Sequence, residues 1–270
     1  MKPRTRGRIA DVLVAVGIVG LIGYYAVTRP PKAVKSTFEQ QVDLAPLAKV
    51  AVQYEGRNRS FDSHARTILK QITGTYPVNG QAHSFTYLDL MFRPERYDHT
   101  DVIYVKNELV RRRIGDELVR IGAASPEWLK GFKSRGMISR QHLELPAIRS
   151  LRDDLSKDLI RTARPMSEIQ GALNLSEPST LADFLQCIPP QAGDRLTRWL
   201  PASWLWAAAD PASASKQRIN SEGAERLGKL APEVVEPLQR AWSGLVKGWQ
   251  TENAAQVNTA VASLADLLPN

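Results

Sequence analysis

Residues 50–74 read VAVQYEGRNRSFDSHARTILKQITG, and this stretch contains the sharpest structural transition in the chain. Its first residues include the β-prone Val50, Val52 and Tyr54, which predicts an extended segment. Gly56 is the expected turn, because a residue without Cβ reverses the chain at little steric cost. A helix is predicted to follow, since four apolar residues share one helical face: Ala65, Ile68, Leu69 and Ile72.

The ends of this helix are marked by residues with capping preferences. Ser60 or Asp62 is expected to cap the start, and Gly74 the end. Helical spacing does not explain why so many other polar residues crowd around one turn: Gln53, Arg57, Arg59, Asp62 and Arg66. We expect Asp62 to accept backbone N–H groups at the helix start and Arg57 to fold back on a carboxylate or carbonyl, which together lock the turn.

The stretch resembles the signature LPVQ-x-x-GR-x-K-P-L-D-T/S-x-A-R. That signature opens the extracytoplasmic domain of some System II cytochrome c biogenesis proteins of the ResB/CcsA type, notably long forms from planctomycetes and Bacteroidetes. The matching positions are Val52, Gln53, Gly56, Arg57, Asp62, Ser63, Ala65 and Arg66. Ala51 and Ser60 replace prolines and Arg59 replaces lysine, which leaves the loop less rigid than in the family. Fainter similarity extends over Tyr87–Pro94, Val102–Gly115 and Asn253–Leu268.

The resemblance implies an accessory role in cytochrome c maturation. The chain would position or dock a polytopic CcsA-type membrane protein, the apocytochrome c, or both, while the partner handles haem and this chain binds no cofactor by itself. The signature residues are the candidate interaction site: Gln53, Gly56, Arg57, Arg59, Asp62 and Arg66. The alternative is an envelope binding or scaffold module unrelated to haem.

The charge of the chain is concentrated at its N-terminus. The 270 residues are 43% hydrophobic, enough for a substantial core, and carry a net charge of +8. Seven basic residues and one acidic residue fall within residues 1–35, so this stretch alone carries +6. A nucleic-acid-binding domain concentrates positive charge on its folded part, and the remaining residues carry only +2. The distribution argues against a nucleic-acid partner.

The apolar run Ile9–Val27 predicts an uncleaved membrane anchor. Its 19 residues span roughly 28 Å as a helix, close to the thickness of a bilayer core. The run is longer than the apolar region of a signal peptide, and no A-x-A cleavage site follows. Four basic residues precede it, which places the N-terminus in the cytoplasm and the bulk of the chain outside the inner membrane, in the periplasm. Gly17, Gly20 and Gly23 give this helix a small-residue face for packing against another membrane helix.

The pattern divides the chain into four parts and predicts a mainly α domain with a few short strands. These parts are a cytoplasmic basic tail (1–8), the anchor (9–27), a tether (28–46) and an extracytoplasmic domain (47–270), with a sub-boundary suggested by turn-rich sequence near 172–194. The helices predicted within the domain are Ala82–Phe92, Glu108–Ile114, one beginning at Ser125-Pro126, Gln141–Ala163, Pro232–Gln250 and Glu252–Leu268. Asn107 is expected to cap the second of them and Gly115 to stop it, while residues 101–105 form a strand.

No motif in the sequence indicates an enzyme. The four histidines lack the spacing of a metal site, and His64 is the first candidate if any of them ligates haem. Cys187 is the single cysteine, which excludes an internal disulfide or a C-x-x-C pair. The absence of nucleophile and phosphate-binding motifs disfavours a secreted hydrolase.

A tryptophan-rich stretch invites comparison with the WWD segment by which CcsA-type proteins handle haem. Trp199, Trp204 and Trp206 share only the final W-x-W of that pattern, and Ala207 stands where aspartate is expected. Residues of the core or of the membrane interface are the simpler interpretation.

Overall fold

The computed structural model describes residues 36–75, 77–190, 198–205 and 232–270. The predicted anchor, with Gly17, Gly20 and Gly23, lies outside these residues, as does Trp206. Within the described ranges, no helix combines the length and apolar character needed to cross a bilayer. The chain from Lys35 to Asn270 forms one compact unit.

The described chain is mainly α with a few short strands, as the sequence predicts. Its helices are α1 (Thr37–Gln41), α2 (Ala45–Ala48), α3 (Phe61–Thr73), α4 (His83–Phe92), α5 (Glu108–Arg120), α6 (Pro126–Arg135), α7 (Arg140–Glu144), α8 (Pro146–Ser156), α9 (Ala163–Leu175), α10 (Pro178–Phe184), α11 (Pro232–Gln250) and α12 (Ala254–Leu267). Short 3₁₀ turns cover Val78–Gly80 and Pro94–Tyr97.

Two small antiparallel sheets accompany the helices. The strands are β1 (Ala51–Tyr54), β2 (Arg57–Ser60), β3 (Asp101–Tyr104), β4 (Met137–Ser139), β5 (Gln186–Ile188) and β6 (Leu200–Pro201). One sheet has the order β2-β1-β5-β6, and the other pairs β3 with β4. The β3 strand confirms the extended segment predicted at residues 101–105.

Helix α3, from the stretch that opens the sequence analysis, lies at the centre of the core. It packs against α2, α4 and α9, and against the strands β1, β2 and β3. The apolar face predicted from its spacing is buried, with Ala65, Ile68 and Ile72 fully inaccessible to solvent. Gly74 ends the helix with a φ of 68°, a conformation that disfavours residues with a Cβ.

Residues 36–46, which the sequence predicts as part of a tether over 28–46, belong to the folded domain. Phe38 and Leu47 are buried in the core. The Asn258 side chain of α12 accepts a hydrogen bond from the Asp43 N–H at 2.8 Å and donates one to the Gln41 carbonyl at 3.0 Å. The C-terminal helix therefore holds a segment that shows no apolar periodicity of its own.

A buried carboxylate joins α4 to the C-terminal hairpin. Asp89 is 2% exposed and accepts hydrogen bonds from Arg93 Nε at 2.6 Å, Tyr97 Oη at 2.6 Å and Trp249 Nε1 at 2.8 Å. Arg93 also pairs with Glu252, at the turn between α11 and α12. The hairpin itself confirms the two antiparallel helices predicted at the end of the chain. Because Asp89 is charged and buried, each of these donors helps to compensate for its lost hydration.

Several predicted helix starts are confirmed. The Asn107 side chain accepts the Val110 N–H at 3.0 Å, and the Ser125 side chain accepts the Trp128 N–H at 3.1 Å. Helix α4 begins within one residue of the predicted start.

The predicted stop at Gly115 is wrong, because α5 continues through it to Arg120. Gly115 is buried where α5 meets α6, and a Cβ at this position would lie 2.3 Å from Leu129 Cδ1. The glycine permits close packing of two helices and does not end one.

The single long helix predicted for Gln141–Ala163 is also wrong. The chain forms α7 and α8 on either side of Leu145, then a turn at residues 157–162, and only then α9. At that turn the Asp158 side chain accepts the N–H groups of Ile160 and Arg161, at 3.2 and 3.0 Å. These side-chain-to-backbone bonds compete with continuation of the helix.

Candidate functional site

The signature stretch folds as a hairpin followed by a helix. Glu55 and Gly56 have φ values of 52° and 74°, the paired positive angles of a two-residue hairpin turn. Gly56 is therefore at the turn, as predicted. The strand after it, β2, was not predicted, because Arg57–Ser60 contains no apolar residue. Among the described strands it lies at the edge of the sheet and pairs with β1 alone, in the register Tyr54 to Arg57 and Val52 to Arg59.

Ser60, and not Asp62, caps the helix. The Ser60 side chain accepts the Ser63 N–H at 3.4 Å. Asp62 instead accepts hydrogen bonds from Ser84 Oγ at 2.9 Å and from the Arg66 guanidinium at 3.1 Å. The predicted lock between Arg57 and Asp62 is wrong, since the described part of the chain gives Asp62 no backbone N–H and the Arg57 side chain no carboxylate or carbonyl.

Gln53 connects the signature to a distant part of the chain. Its Oε1 accepts the backbone N–H of Trp199 at 3.0 Å, and its Cα pairs with that of Gln186 in β5. The same segment leads into β6, which completes the sheet. Gln53 thus fixes the hairpin to the later strands, a role that the sequence gives no local sign of.

We define the basic surface as the three signature arginines together with Lys70 of α3: Arg57, Arg59, Arg66 and Lys70. Arg57, Arg66 and Lys70 are exposed, and Arg59 is half-buried. The Arg59 guanidinium lies 5.5 Å from the Tyr54 ring centroid and donates to Thr67 Oγ1 at 3.4 Å. Arg59 of β2 therefore contacts α3, the helix that exposes Arg66 and Lys70.

The charge of this surface is only partly neutralised. Residues 51–73 contain the four basic residues and two acidic ones, Glu55 and Asp62, so this stretch carries a net charge of +2. Arg66 pairs with Asp62 in an exposed contact, which contributes little to stability. The Arg57 side chain makes no hydrogen bond or ion pair within the described part of the chain. These side chains remain available to an anionic partner.

His64, from the same helix, faces the core. It is fully buried, and its Nε2 lies 3.3 Å from Tyr87 Oη, which itself donates to the Leu181 carbonyl at 2.6 Å. The Tyr54 and Tyr87 rings meet the imidazole edge-on at 5.3 and 5.5 Å. Burial, with a smaller contribution from Arg59, lowers the pKa of His64 to about 4. A haem iron would have to displace Tyr87 to reach Nε2, so this geometry is that of a neutral core histidine.

The other candidate groups provide little chemistry. No cluster of three or more His, Cys, Asp or Glu side chains suited to a metal ion occurs in the described ranges. Cys187 is buried, and burial raises the pKa of its thiol to about 12, which keeps it protonated and unreactive.

Two concave features are lined by residues that do not belong to the basic surface. An open groove of about 780 Å³ follows α11 and α12, and a smaller cavity of about 340 Å³ lies beside Arg140. The Arg140 guanidinium already bonds Ser176 Oγ at 2.7 Å and the Leu173 carbonyl at 3.0 Å, and it pairs with Glu177. The Arg140 guanidinium is therefore occupied by contacts within the domain.

The structure thus exposes Arg57 and Arg66, half-buries Arg59, and uses Gln53 and His64 for contacts within the fold. The partners Ser84, Tyr87 and Trp199 were missed, because they come from sequence positions distant from the signature. In comparisons with known proteins, no family model matches this sequence and no curated protein matches it.

Proposed function

We propose that this chain is a membrane-anchored accessory protein of System II cytochrome c maturation that docks its partner through the basic surface. The supporting sequence observation is the signature resemblance at residues 52–66. The structural observation that carries the proposal is that some signature residues make contacts within the fold and others are exposed. Gln53 and Gly56 are used by the fold, whereas Arg57 and Arg66 project into solvent. Exposed charged residues that the fold does not need are suited to recognition.

In this proposal the residues 9–27 cross the inner membrane once, and the domain that begins near residue 36 lies in the periplasm. The partner is a polytopic CcsA-type protein that handles haem, with apocytochrome c as a second ligand. The chain itself acts without enzymatic activity and without a bound cofactor. A buried His64 that already contacts Tyr87 is consistent with haem being held by the partner.

The test is a double variant, Arg57→Ala with Arg66→Ala, in the full chain. We expect recovery of a tagged WWD-type polytopic protein from the same genome to fall about tenfold, since interface arginines often contribute more than 1 kcal/mol each. The melting temperature should not change, because neither side chain is buried. Yield of haem-attached cytochrome c, read from its absorbance, should fall in parallel.

The matched control is Arg112→Ala with Arg113→Ala, which removes two exposed arginines from α5. Recovery equal to that of the wild type in the Arg57 and Arg66 variant would contradict docking through this surface. Loss of partner recovery with normal cytochrome maturation would instead favour the envelope scaffold unrelated to haem.

A further inference from the structure

The turn at residues 157–162 carries the two most exposed large apolar side chains in the described ranges. Leu159 is 84% exposed and Ile160 is 95% exposed, while the other exposed aliphatic residues there reach 43% at most. The two are adjacent in sequence and lie at the tip of the connection between α8 and α9. Isolated exposed leucines are common on protein surfaces, but an adjacent pair in nearly full contact with water is costly.

Hydrogen bonds hold this tip in place. The Asp158 carbonyl accepts the N–H groups of Thr162 and Ala163, at 3.1 and 2.9 Å, and its side chain accepts those of Ile160 and Arg161. Thr162 is buried and donates its hydroxyl to the Leu155 carbonyl. The exposure of the pair is therefore a property of a defined turn.

The residues around the tip suit a lipid surface. Lys157 and Arg161 flank the apolar pair and are both exposed, with Lys157 in an exposed ion pair with Asp154 at 2.7 Å. Long basic side chains of this kind place their charge among lipid headgroups while neighbouring apolar residues enter the acyl boundary. The Asp158 carboxylate is turned back onto the two backbone N–H groups, so its charge is partly compensated within the turn.

The shape of the tip also favours a bilayer over a protein. A stable protein interface buries on the order of 800 Å² on each partner, and two side chains on a convex turn supply a small part of that. A bilayer needs no complementary pocket, and weak insertion is sufficient when the chain is already held nearby. If residues 9–27 form the anchor, the eight residues 28–35 extend about 28 Å at most, which keeps the domain close to the membrane.

We propose that Leu159 and Ile160 insert into the interfacial layer of the bilayer that holds the anchor, and so fix the orientation of the domain on the membrane. This inference rests on the membrane anchor of the proposed function. The turn orients the domain on the membrane, whereas the basic surface recognises the partner.

The experiment uses the full chain in nanodiscs that contain doxyl-labelled lipids. An environment-sensitive fluorophore is attached through the Ile160→Cys variant or, as a control, through Ser134→Cys at an exposed position of α6. The native Cys187 does not compete for the label, because it is buried. We expect the lipid quencher to lower the emission at position 160 about twofold or more, as for a group within the interfacial layer, and to leave position 134 unchanged. Adding Leu159→Ser should reduce the quenching at position 160.

Absence of lipid quenching at position 160, in a chain that co-elutes with the nanodisc, would overturn the proposal. So would a blue shift that depends on protein concentration and occurs without lipid quenching, since that would show a protein covering the tip. A chain that elutes apart from the nanodisc would contradict the anchor instead. The same labelled chain mixed with doxyl-lipid vesicles would then test the tip alone.

Discussion

At the residue scale, His64 couples the stability of the core to pH. The folded state holds it neutral because burial lowers its pKa from 6.5 to about 4, while the unfolded chain binds a proton near pH 6.5. Between these values the unfolded state carries more protons, so stability falls as the pH falls. The imidazole Nδ1 has no hydrogen-bond partner among the described residues. If His64 were protonated at Nδ1, the new N–H would therefore find no acceptor.

We therefore predict that the free energy of unfolding decreases between pH 6.5 and pH 4, by about 3 kcal/mol in total from this residue. Urea unfolding at a series of pH values measures the decrease. In a His64→Leu variant the slope between pH 6.5 and 5 should become shallower. An identical slope in wild type and His64→Leu would contradict the assignment.

Asp89 is the second residue whose removal should have a large effect. Asp89→Asn removes the buried charge that Arg93 faces and weakens the acceptor shared by Tyr97 and Trp249. Breaking one side of a buried ion pair costs about 3–5 kcal/mol, and we expect a loss of this size in chemical denaturation. Glu252→Gln tests the other partner of Arg93, which is half exposed and should matter much less. A loss below about 1 kcal/mol for Asp89→Asn would show that the network is not stabilising.

At the element scale, the packing of α5 on α6 depends on a missing side chain. Alanine is a better helix former than glycine by about 1 kcal/mol, so Gly115→Ala should stabilise an isolated helix. In this fold its Cβ would overlap Leu129 Cδ1 at 2.3 Å. Overpacking of this kind costs about 1–3 kcal/mol, and we predict net destabilisation of the variant.

The matched control is Gly171→Ala within α9, where a Cβ would meet no atom within 4 Å. This substitution should be neutral or stabilising by about 0.5–1 kcal/mol. Thermal melts of both variants distinguish helix propensity from packing. Equal shifts in the two melting temperatures would contradict the tight α5–α6 contact.

At the scale of the whole molecule, the proposal requires one membrane crossing with the C-terminus outside the cytoplasm. Alkaline phosphatase fused after Asn270 should be active, because it folds in the periplasm. A fluorescent protein that folds only in the cytoplasm should stay dark at the same position. The opposite pair of results would overturn both the topology and the periplasmic docking surface.

Local patterns in the sequence determined those features that neighbouring residues decide. The apolar spacing of Phe61–Thr73 predicted the face that α3 buries, and Asn107 and Ser125 marked helix starts. Gly56 and Gly74 marked a turn and a helix end, because both adopt positive φ angles that a Cβ disfavours. The C-terminal helical hairpin followed from the same periodicity.

Tertiary contacts decided the rest, because the deciding atoms come from distant parts of the chain. Leu129 and Phe132 of α6 pack closely against Gly115 inside α5, and Asn258 bonds the start of the domain to α12. Trp199 and Ser84 donate hydrogen bonds to Gln53 and Asp62. The Arg57 side chain has no hydrogen-bond or ion-pair partner in the described chain. A sequence pattern records spacing along one element, whereas burial and hydrogen-bond partners depend on which elements meet. The exposure of Leu159 and Ile160 shows the difference, since the predicted helix Gln141–Ala163 would include both residues, whereas a turn at Asp158 interrupts it.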